Sequence, residues 1–365
     1  MPIIFGKHYS KQELRARVGR IDQICGARTS TLSDGRGAGI RVADIWTGSG
    51  LEFTVLLDRG MDLSTARWQG KSLCWRSPVG EAHPAYFEPE GTRWLRTFGG
   101  GLLTTCGLTY AGAPSTDAGE DLGLHGRVSH LPAENVHVDA EWDGDDYVVW
   151  ATGTVREARV FGENVVLTRK VFTRLGENHL WIHDTVENCG FEPTEHMLLY
   201  HFNLGFPAVD EGSVLLAPTL AAEPRDAEAE QEGGEYASFH APRPGYKEKV
   251  YYHQMAAGAD GMVPVALVNR DLNAGTGYGV YVVYSRNALP YFVEWKMLGQ
   301  GTYVVGLEPS NCLVGGRAKE RAEGRLQFLE PGEQREYRLE VGVLPSVLEI
   351  TAFEERVRQV REQAG

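Results

Sequence analysis

From about residue 39 to residue 344 the apolar positions of this chain recur mainly with a period of two, the signature of half-buried β-strands. Residues 39–46 and 52–57 alternate about a Gly48-Ser49-Gly50 turn. A short run at 71–76 follows. Val136, Val138, Ala140 and Trp142 share one face, Asp143-Gly144-Asp145 turns the chain, and Tyr147, Val149 and Ala151 alternate again. Residues 165–173, 179–187 and 196–204 continue this meander, with turns at Leu175-Gly176-Glu177-Asn178 and near Gly190. Further strands are predicted at 263–268, 277–284, 290–297 and 302–308. A closing hairpin is predicted from 325–329 and 337–344 about Glu330-Pro331-Gly332-Glu333. So many strands at this spacing predict a sandwich or a barrel.

The period changes to that of a helix only at the two ends. Residues 10–26 open with Ser10 and Glu13 in capping-box spacing and carry an apolar stripe of Leu14, Val18 and Ile21. Residues 347–363 read as an amphipathic helix. No internal repeat or low-complexity linker divides the chain, so residues 1–365 are read as one β-rich domain.

Two stretches break the strand pattern. Residues 107–132 have no clear period and carry aromatic, Arg and His residues, which favours a functional loop. Residues 221–235, AAEPRDAEAEQEGGE, are acidic without core residues and read as a solvated surface insertion.

Charge and cysteine usage narrow the function classes. The net charge of −13 disfavours nucleic acid and anionic membrane as partners but leaves a neutral substrate open. Five scattered cysteines without a CxxC motif suit a reducing cytoplasm. No apolar h-region opens the chain and no run of eighteen apolar residues occurs, so neither a signal peptide nor a membrane span is expected.

Candidate chemistry gathers in residues 196–205, HMLLYHFNLG. As a strand, this stretch puts Leu198, Tyr200, Phe202 and Leu204 on one face and Met197, Leu199, His201 and Asn203 on the other. The first face is apolar throughout; the second turns polar at its far end, where it can meet a cleft. Two other motifs stand beside it, LHGR at 124–127 and GLEPSN at 306–311. Together they offer His125, His201 and Glu308, two imidazoles and a carboxylate, which suffices for paired acid/base work. Glu308 precedes a proline, which holds its backbone extended. Neither FGGGLL at 98–103 nor GRGAG at 35–39 is a phosphate loop, since neither is set between a strand and a helix.

The order DRGMD (58–62), LHGR, LLYHFNLG and GLEPSN resembles the aldose 1-epimerase (galactose mutarotase-like) superfamily, in particular its uncharacterised aldose-epimerase-like branch. The resemblance runs roughly from residue 19 to 344 and implies an all-β antiparallel β-supersandwich, here with a short N-terminal and a C-terminal helix. It implies a carbohydrate epimerase interconverting sugar anomers by ring opening, with His201 as general acid, Glu308 as general base, His125 holding the sugar, and no cofactor. The chain departs from the usual pattern in one respect: the catalytic imidazole of that superfamily falls at the position of Leu199, and His201 lies one same-face step further along.

Weaker candidates surround these three. Arg59, Arg76 and Arg127 could bind hydroxyls or an acidic group, which keeps an anionic sugar open, or could be structural ion pairs. Asn203, Glu294 and Lys296 could reach sugar hydroxyls, while Trp295, on the opposite strand face from the last two, reads as core. His125, His130 and His201 could together make a divalent site, but this is the less favoured reading and no metal is expected. The alternatives to mutarotation are isomerase or lyase chemistry on a modified or acidic sugar, and a non-catalytic carbohydrate-binding protein. A small-molecule carbohydrate is the expected partner, and a homodimer is compatible with the sequence.

Overall fold

The computed structural model describes residues 2–272 and 274–364. Two large antiparallel sheets hold most of the chain, as the period-two pattern predicts. The smaller has eight strands, in the order Ala133–Asp143, Asp146–Ala158, Asn164–Arg174, His179–Asn188, Gln334–Leu344, Tyr278–Ser285, Met262–Asn269 and Val214–Leu216. The larger has twelve. Five of these position the site and are labelled in chain order: β1 (Leu103–Leu108), β2 (Thr194–Gly205), β3 (Lys249–Met255), β4 (Tyr291–Gly299) and β5 (Thr302–Ser310). Across the sheet they run β3-β4-β5-β2-β1, so β2 and β5 lie well inside it.

The two faces of β2 part as its alternation predicts. Leu198, Tyr200, Phe202 and Leu204 enter the main core between the sheets. Met197 and Leu199 enter a second apolar cluster on the other face, with Trp94, Phe98, Cys106 and Tyr110. This second cluster is the bed on which the polar end of β2 is laid.

One buried ion network ties the sheets together. Arg169 in the smaller sheet, wholly buried, grips Asp184 with Nε and Nη2 at 2.9 and 2.6 Å. Its Nη1 reaches Asp62 Oδ1 at 3.2 Å, Thr105 Oγ1 at 2.9 Å and the Gly60 carbonyl at 3.1 Å in the larger sheet. Tyr200 donates to Asp184 at 2.7 Å. The DRGMD motif is therefore a cross-sheet anchor through Asp62.

Three predicted elements differ. The N-terminal helix is only Lys11–Arg15; its capping box forms, but Gly19 is a poor helix former and residues 26–31 pair as an edge strand beside Arg41–Trp46. The closing hairpin is absent. Gln327–Leu329 pairs with β2, whereas Gln334–Leu344 lies between His179–Asn188 and Tyr278–Ser285, so the 330–333 turn crosses from one sheet to the other. The acidic stretch is not a free insertion: Thr219–Pro224 adds an edge strand to β3, and the residues after it fold over two buried lysines. Glu228 pairs with Lys249, and Glu232 lies 3.3 Å from Lys296, which is 1% exposed. The carboxylates offset the cost of burying these ammonium groups.

The C-terminal helix, Val347–Glu362, forms as predicted. Ser346 caps it, and Ile350, Phe353 and Val357 press on Ala266, Val268 and Tyr281 of the smaller sheet. No helix among the described residues is long and apolar enough to cross a membrane.

Candidate active site

Strand register builds the floor of the site. The pairs Leu199↔Ser310 and Phe202↔Leu307 set His201 of β2 directly opposite Glu308 of β5. Glu308 in turn pairs with Val293 of β4, and His201 with Thr104 of β1. Val293, Glu308, His201 and Thr104 thus form one row across the sheet with side chains on the same face, as antiparallel pairing requires. The next row on that face holds Trp295, Gly306 and Asn203. A methyl group at Gly306 would lie 2.5 Å from Glu308 Oε1 and 2.9 Å from His201 Cε1, so the bare glycine makes the room in which the pair sits.

His125 comes from the 107–132 segment. Its backbone is in the left-handed region at φ 59°, and it is pinned by hydrogen bonds from His125 N to the Gly112 carbonyl and from Gly107 N to the His125 carbonyl, both 3.0 Å. Positive φ in a non-glycine residue is costly and is concentrated at functional sites. The following Gly126 is packed against the carbonyls of Gly107 and Tyr110, each 2.5 Å from where a Cβ would stand. These contacts explain the His-Gly dipeptide and aim the imidazole at the sheet, with its ring centre 6.1 Å from that of His201.

A cavity of about 330 Å³ opens over this floor. Its polar lining side chains are Thr92, His125, His201, Arg225, Glu248 and Glu308; the remaining lining residues are apolar. Trp295 stands edge-on to His201 at 5.4 Å, Phe98 at 5.6 Å, and Trp94 lies 5.0 Å from His125. At the rim Glu248 accepts from Trp295 Nε1 at 2.8 Å and lies 3.1 Å from Arg225, which also contacts Asp226 at 2.8 Å.

The apolar walls set the charge state of the three central groups. His201 Nε2 and Glu308 Oε1 are 3.1 Å apart. Burial, with His125 adjoining, pushes the His201 imidazole down to about 3, and burial pushes His125 down to about 4. Burial, with Glu248 nearby, holds the Glu308 carboxyl well above its ordinary range. Burial thus favours the uncharged form of both partners, the neutral imidazole and the protonated carboxyl. His125 Nδ1, His201 Nδ1 and Glu308 Oε1 are buried without a hydrogen-bond partner in the protein. Native interiors rarely leave such atoms orphaned except where a ligand or water is received.

The structure brings His125, His201 and Glu308 into one cavity and keeps the other candidates out of it. Arg59 is buried and donates to the carbonyls of Ser129, Ala82 and Thr97 and contacts His130. Arg76 is bound to Glu81 at 2.6 Å and Ser64 at 2.8 Å. Arg127 lies over the Tyr110 ring, between Glu120 and Glu157. These guanidiniums act as structural ion pairs and hydrogen-bond hubs, and none lines the cavity. Asn203 faces the right side but spends its amide on the carbonyls of Gly101 and His201, at 3.1 and 3.0 Å.

Glu294 and Lys296 point to the opposite face of β4, where Glu294 meets His253 at 3.2 Å and Lys296 meets Glu232. Val293 and Trp295 are the β4 residues that face the cavity. Alternation groups these residues correctly, but both faces of an inner strand are covered, so it cannot say which face looks into the cavity. His130 stacks on Phe87 at 4.1 Å, away from His201, and among the described residues no group of three His, Cys, Asp or Glu could hold a metal ion. Arg225, Glu248, Trp94 and Phe98 carry no motif; only the fold brings them to the rim and wall.

A family model described as a domain of unknown function, DUF4432, matches residues 37–343. A protein from Klebsiella pneumoniae subsp. pneumoniae MGH 78578, provisionally designated an aldose 1-epimerase, superposes with a TM-score of 0.88 at 26% identity, over 93% of this chain and 90% of that one. A galactose mutarotase-like protein from Clostridium acetobutylicum gives a TM-score of 0.61 at 11% identity, over 88% and 99% of the two chains. A galactose 1-epimerase from Lactobacillus acidophilus NCFM gives 0.52 at 14%, over 88% and 99%. At these lower identities the likeness concerns the fold. No curated protein matches the chain.

Proposed function

Because this chain belongs to the DUF4432 family and folds as galactose mutarotase-like proteins do, we propose that it interconverts the anomers of a free sugar by acid/base ring opening. One observation carries the reading: a cross-strand His201–Glu308 pair, 3.1 Å apart, on the floor of an aromatic-walled cavity, with buried polar atoms that have no protein partner. A hemiacetal carbon bears two oxygens, the ring oxygen and the anomeric hydroxyl. The pair holds one proton and can give it to one oxygen while taking another from its neighbour. The net charge of the pair stays zero, and the carboxylate and imidazolium that the transfers form lie 3.1 Å apart, where walls of low polarity strengthen their attraction.

In the opening step Glu308 donates its proton to the ring oxygen, the bond from that oxygen to C1 breaks, and His201 takes the anomeric hydroxyl proton. The open-chain aldehyde results. Rotation about C1–C2 presents the other face, and closure by the reverse transfers gives the other anomer. The donor and acceptor are exchanged relative to those the family resemblance implies, because burial leaves the resting proton on the carboxyl. His125, uncharged, is placed to hydrogen-bond a sugar hydroxyl. All five cysteines are unpaired thiols, which supports a reducing cytoplasmic setting.

The test is NMR exchange between anomers across a panel of aldoses. Saturation transfer in the presence of the protein is expected for at least one sugar. Binding without exchange would identify a lectin-like protein, and new product signals would identify another reaction.

The pH profile is expected to lack a step at the ordinary histidine value of about 6.5. The active form carries one proton on the pair. It is lost on the acid side only when His201 protonates, near 3, and on the basic side when the raised Glu308 carboxyl ionises. So kcat/KM should show no fall between pH 6.5 and pH 5. A tenfold fall per pH unit below 6.5 would show an ordinary, solvated imidazole instead.

Gly306→Ala should fold, since the clash falls on the end of the Glu308 side chain and on a ring edge rather than on backbone. The displaced pair should lower kcat by about tenfold or more, as misplacement of about 1 Å costs up to about 100-fold. Unchanged kcat would mean that the pair does not act at this spacing.

A further inference from the structure

The cavity's polar groups are unevenly distributed. His125, His201 and Glu308 gather at the floor, and Thr92, Arg225 and Glu248 lie toward solvent. The rest of the lining is hydrocarbon and aromatic, including Trp94, Phe98, Val250, Val293 and Trp295. Much of the rim's hydrogen-bonding capacity is already engaged: Glu248 accepts from Trp295 Nε1, and Arg225 lies against both Glu248 and Asp226. A fully hydroxylated hexose presents a hydroxyl at nearly every carbon. With the floor occupied by the two oxygens on C1, most of the others would face groups that cannot pair with them.

We propose that this site is selective for a neutral deoxy-sugar, an aldose that presents a CH₂ or CH₃ to the Val250–Val293–Trp295 wall where a common sugar presents a hydroxyl. This rests on the anomer-exchange reading and narrows its substrate class. The selection is by exclusion. A hydroxyl moved from water to an apolar wall loses its hydrogen bonds, whereas a methylene there gains from burial. Aromatic edges and faces favour the C–H surface of a sugar ring over its hydroxyls. Anionic sugars are excluded by charge: Arg225 is the one cationic side chain among the described lining residues, and two carboxylates already neutralise it. An added carboxylate or phosphate would meet Glu248 without a free cation.

The test compares matched pairs on the full-length protein: D-ribose with 2-deoxy-D-ribose, D-glucose with 2-deoxy-D-glucose, and D-galactose with 6-deoxy-D-galactose, with D-glucuronate and D-glucose 6-phosphate as anionic members. Two readouts are taken, anomer exchange by NMR and direct binding by quenching of tryptophan fluorescence. At least one deoxy member should exceed its parent by about tenfold in kcat/KM and in affinity, since one lost hydroxyl partnership of about 1.4 kcal/mol is a factor of ten. Val293→Thr, which adds a hydroxyl to the wall with little change of volume, should shrink that ratio by favouring the parent.

Parents that exchange as fast as all their deoxy partners, or an anionic sugar that binds more tightly than the neutral ones, would overturn the selectivity while leaving the acid/base reading intact. Preferential binding of a deoxy-sugar with no exchange would uphold the selectivity and remove the acid/base reading. Absence of both binding and exchange across the panel would remove both.

Discussion

Glu308→Gln and His201→Ala are each expected to lower anomer exchange by about 10²–10⁴-fold, the usual yield of one positioned proton transfer. The double variant should cost little more than the worse single one, because the two proton transfers belong to one ring-opening step and the side chains act as a unit. Folding should survive. Glutamine matches the protonated carboxyl in size and in neutrality, and it relieves a buried group of any need to ionise, so the melting temperature of Glu308→Gln should be unchanged or higher. His201 loses few polar contacts on truncation, since its Nδ1 has no partner in the protein. NMR exchange rates alongside thermal unfolding curves check both halves. Glu308→Gln retaining more than about a third of the wild-type rate, with the fold intact, would sink the acid/base assignment.

Arg169→Met is expected to act on the fold instead. The guanidinium is 0% exposed and is the shared counter-ion of Asp62 and Asp184. Methionine fills similar space but leaves both carboxyl groups without their cation. Breaking a buried ion pair from one side costs about 3–5 kcal/mol. The loss should depend on pH, and the sign follows from Asp62. Burial already raises its carboxyl to about 6, with Arg169 beside it as the main opposing influence. Without the arginine its folded value rises further. A carboxyl whose folded value lies above its unfolded one keeps its stability contribution at low pH and loses it as pH rises through the folded value. Urea midpoints should therefore show a deficit at pH 8 that narrows by pH 5.5. A deficit of less than about 1 kcal/mol at pH 8 would mean that the network does not anchor the sheets.

Much of this was legible in the sequence because alternation reports burial directly. The two faces of β2 follow residue by residue from its alternation, and the C-terminal helix follows from its apolar stripe. The misplaced elements are those where partner choice is non-local. Residues 325–329 and 337–344 look like a hairpin because they are close in sequence, yet each pairs with a strand more than a hundred residues distant or in the other sheet. The acidic stretch looked solvated because its partners, Lys249 and Lys296, follow it on strands whose burial only the sheet creates. For the site, the motifs carried His125, His201 and Glu308, which stand close together in one cavity. Charge alone misled for Arg59, Arg76 and Arg127: a guanidinium has five donors, and nothing in a local motif says where they go. Trp295 reads as core because Glu294 and Lys296 make the other face of β4 look like the polar one, yet those two are buried in ion pairs.

The site's groups are divided between parts of the sheet that differ in how firmly they are held. His201 and Glu308 stand on inner strands, each hydrogen-bonded on both sides. Arg225 and Glu248 stand where the outermost strand, Thr219–Pro224, meets β3, with a neighbour on one side only. On the proposed reading the proton-transfer centre and the apolar lining of β4 share the firmly held interior of the sheet, and only the charged rim lies at its border. Changes at that border can alter entry to the cavity while His201 and Glu308 keep their register, so a single scaffold can vary its doorway without rebuilding its chemistry.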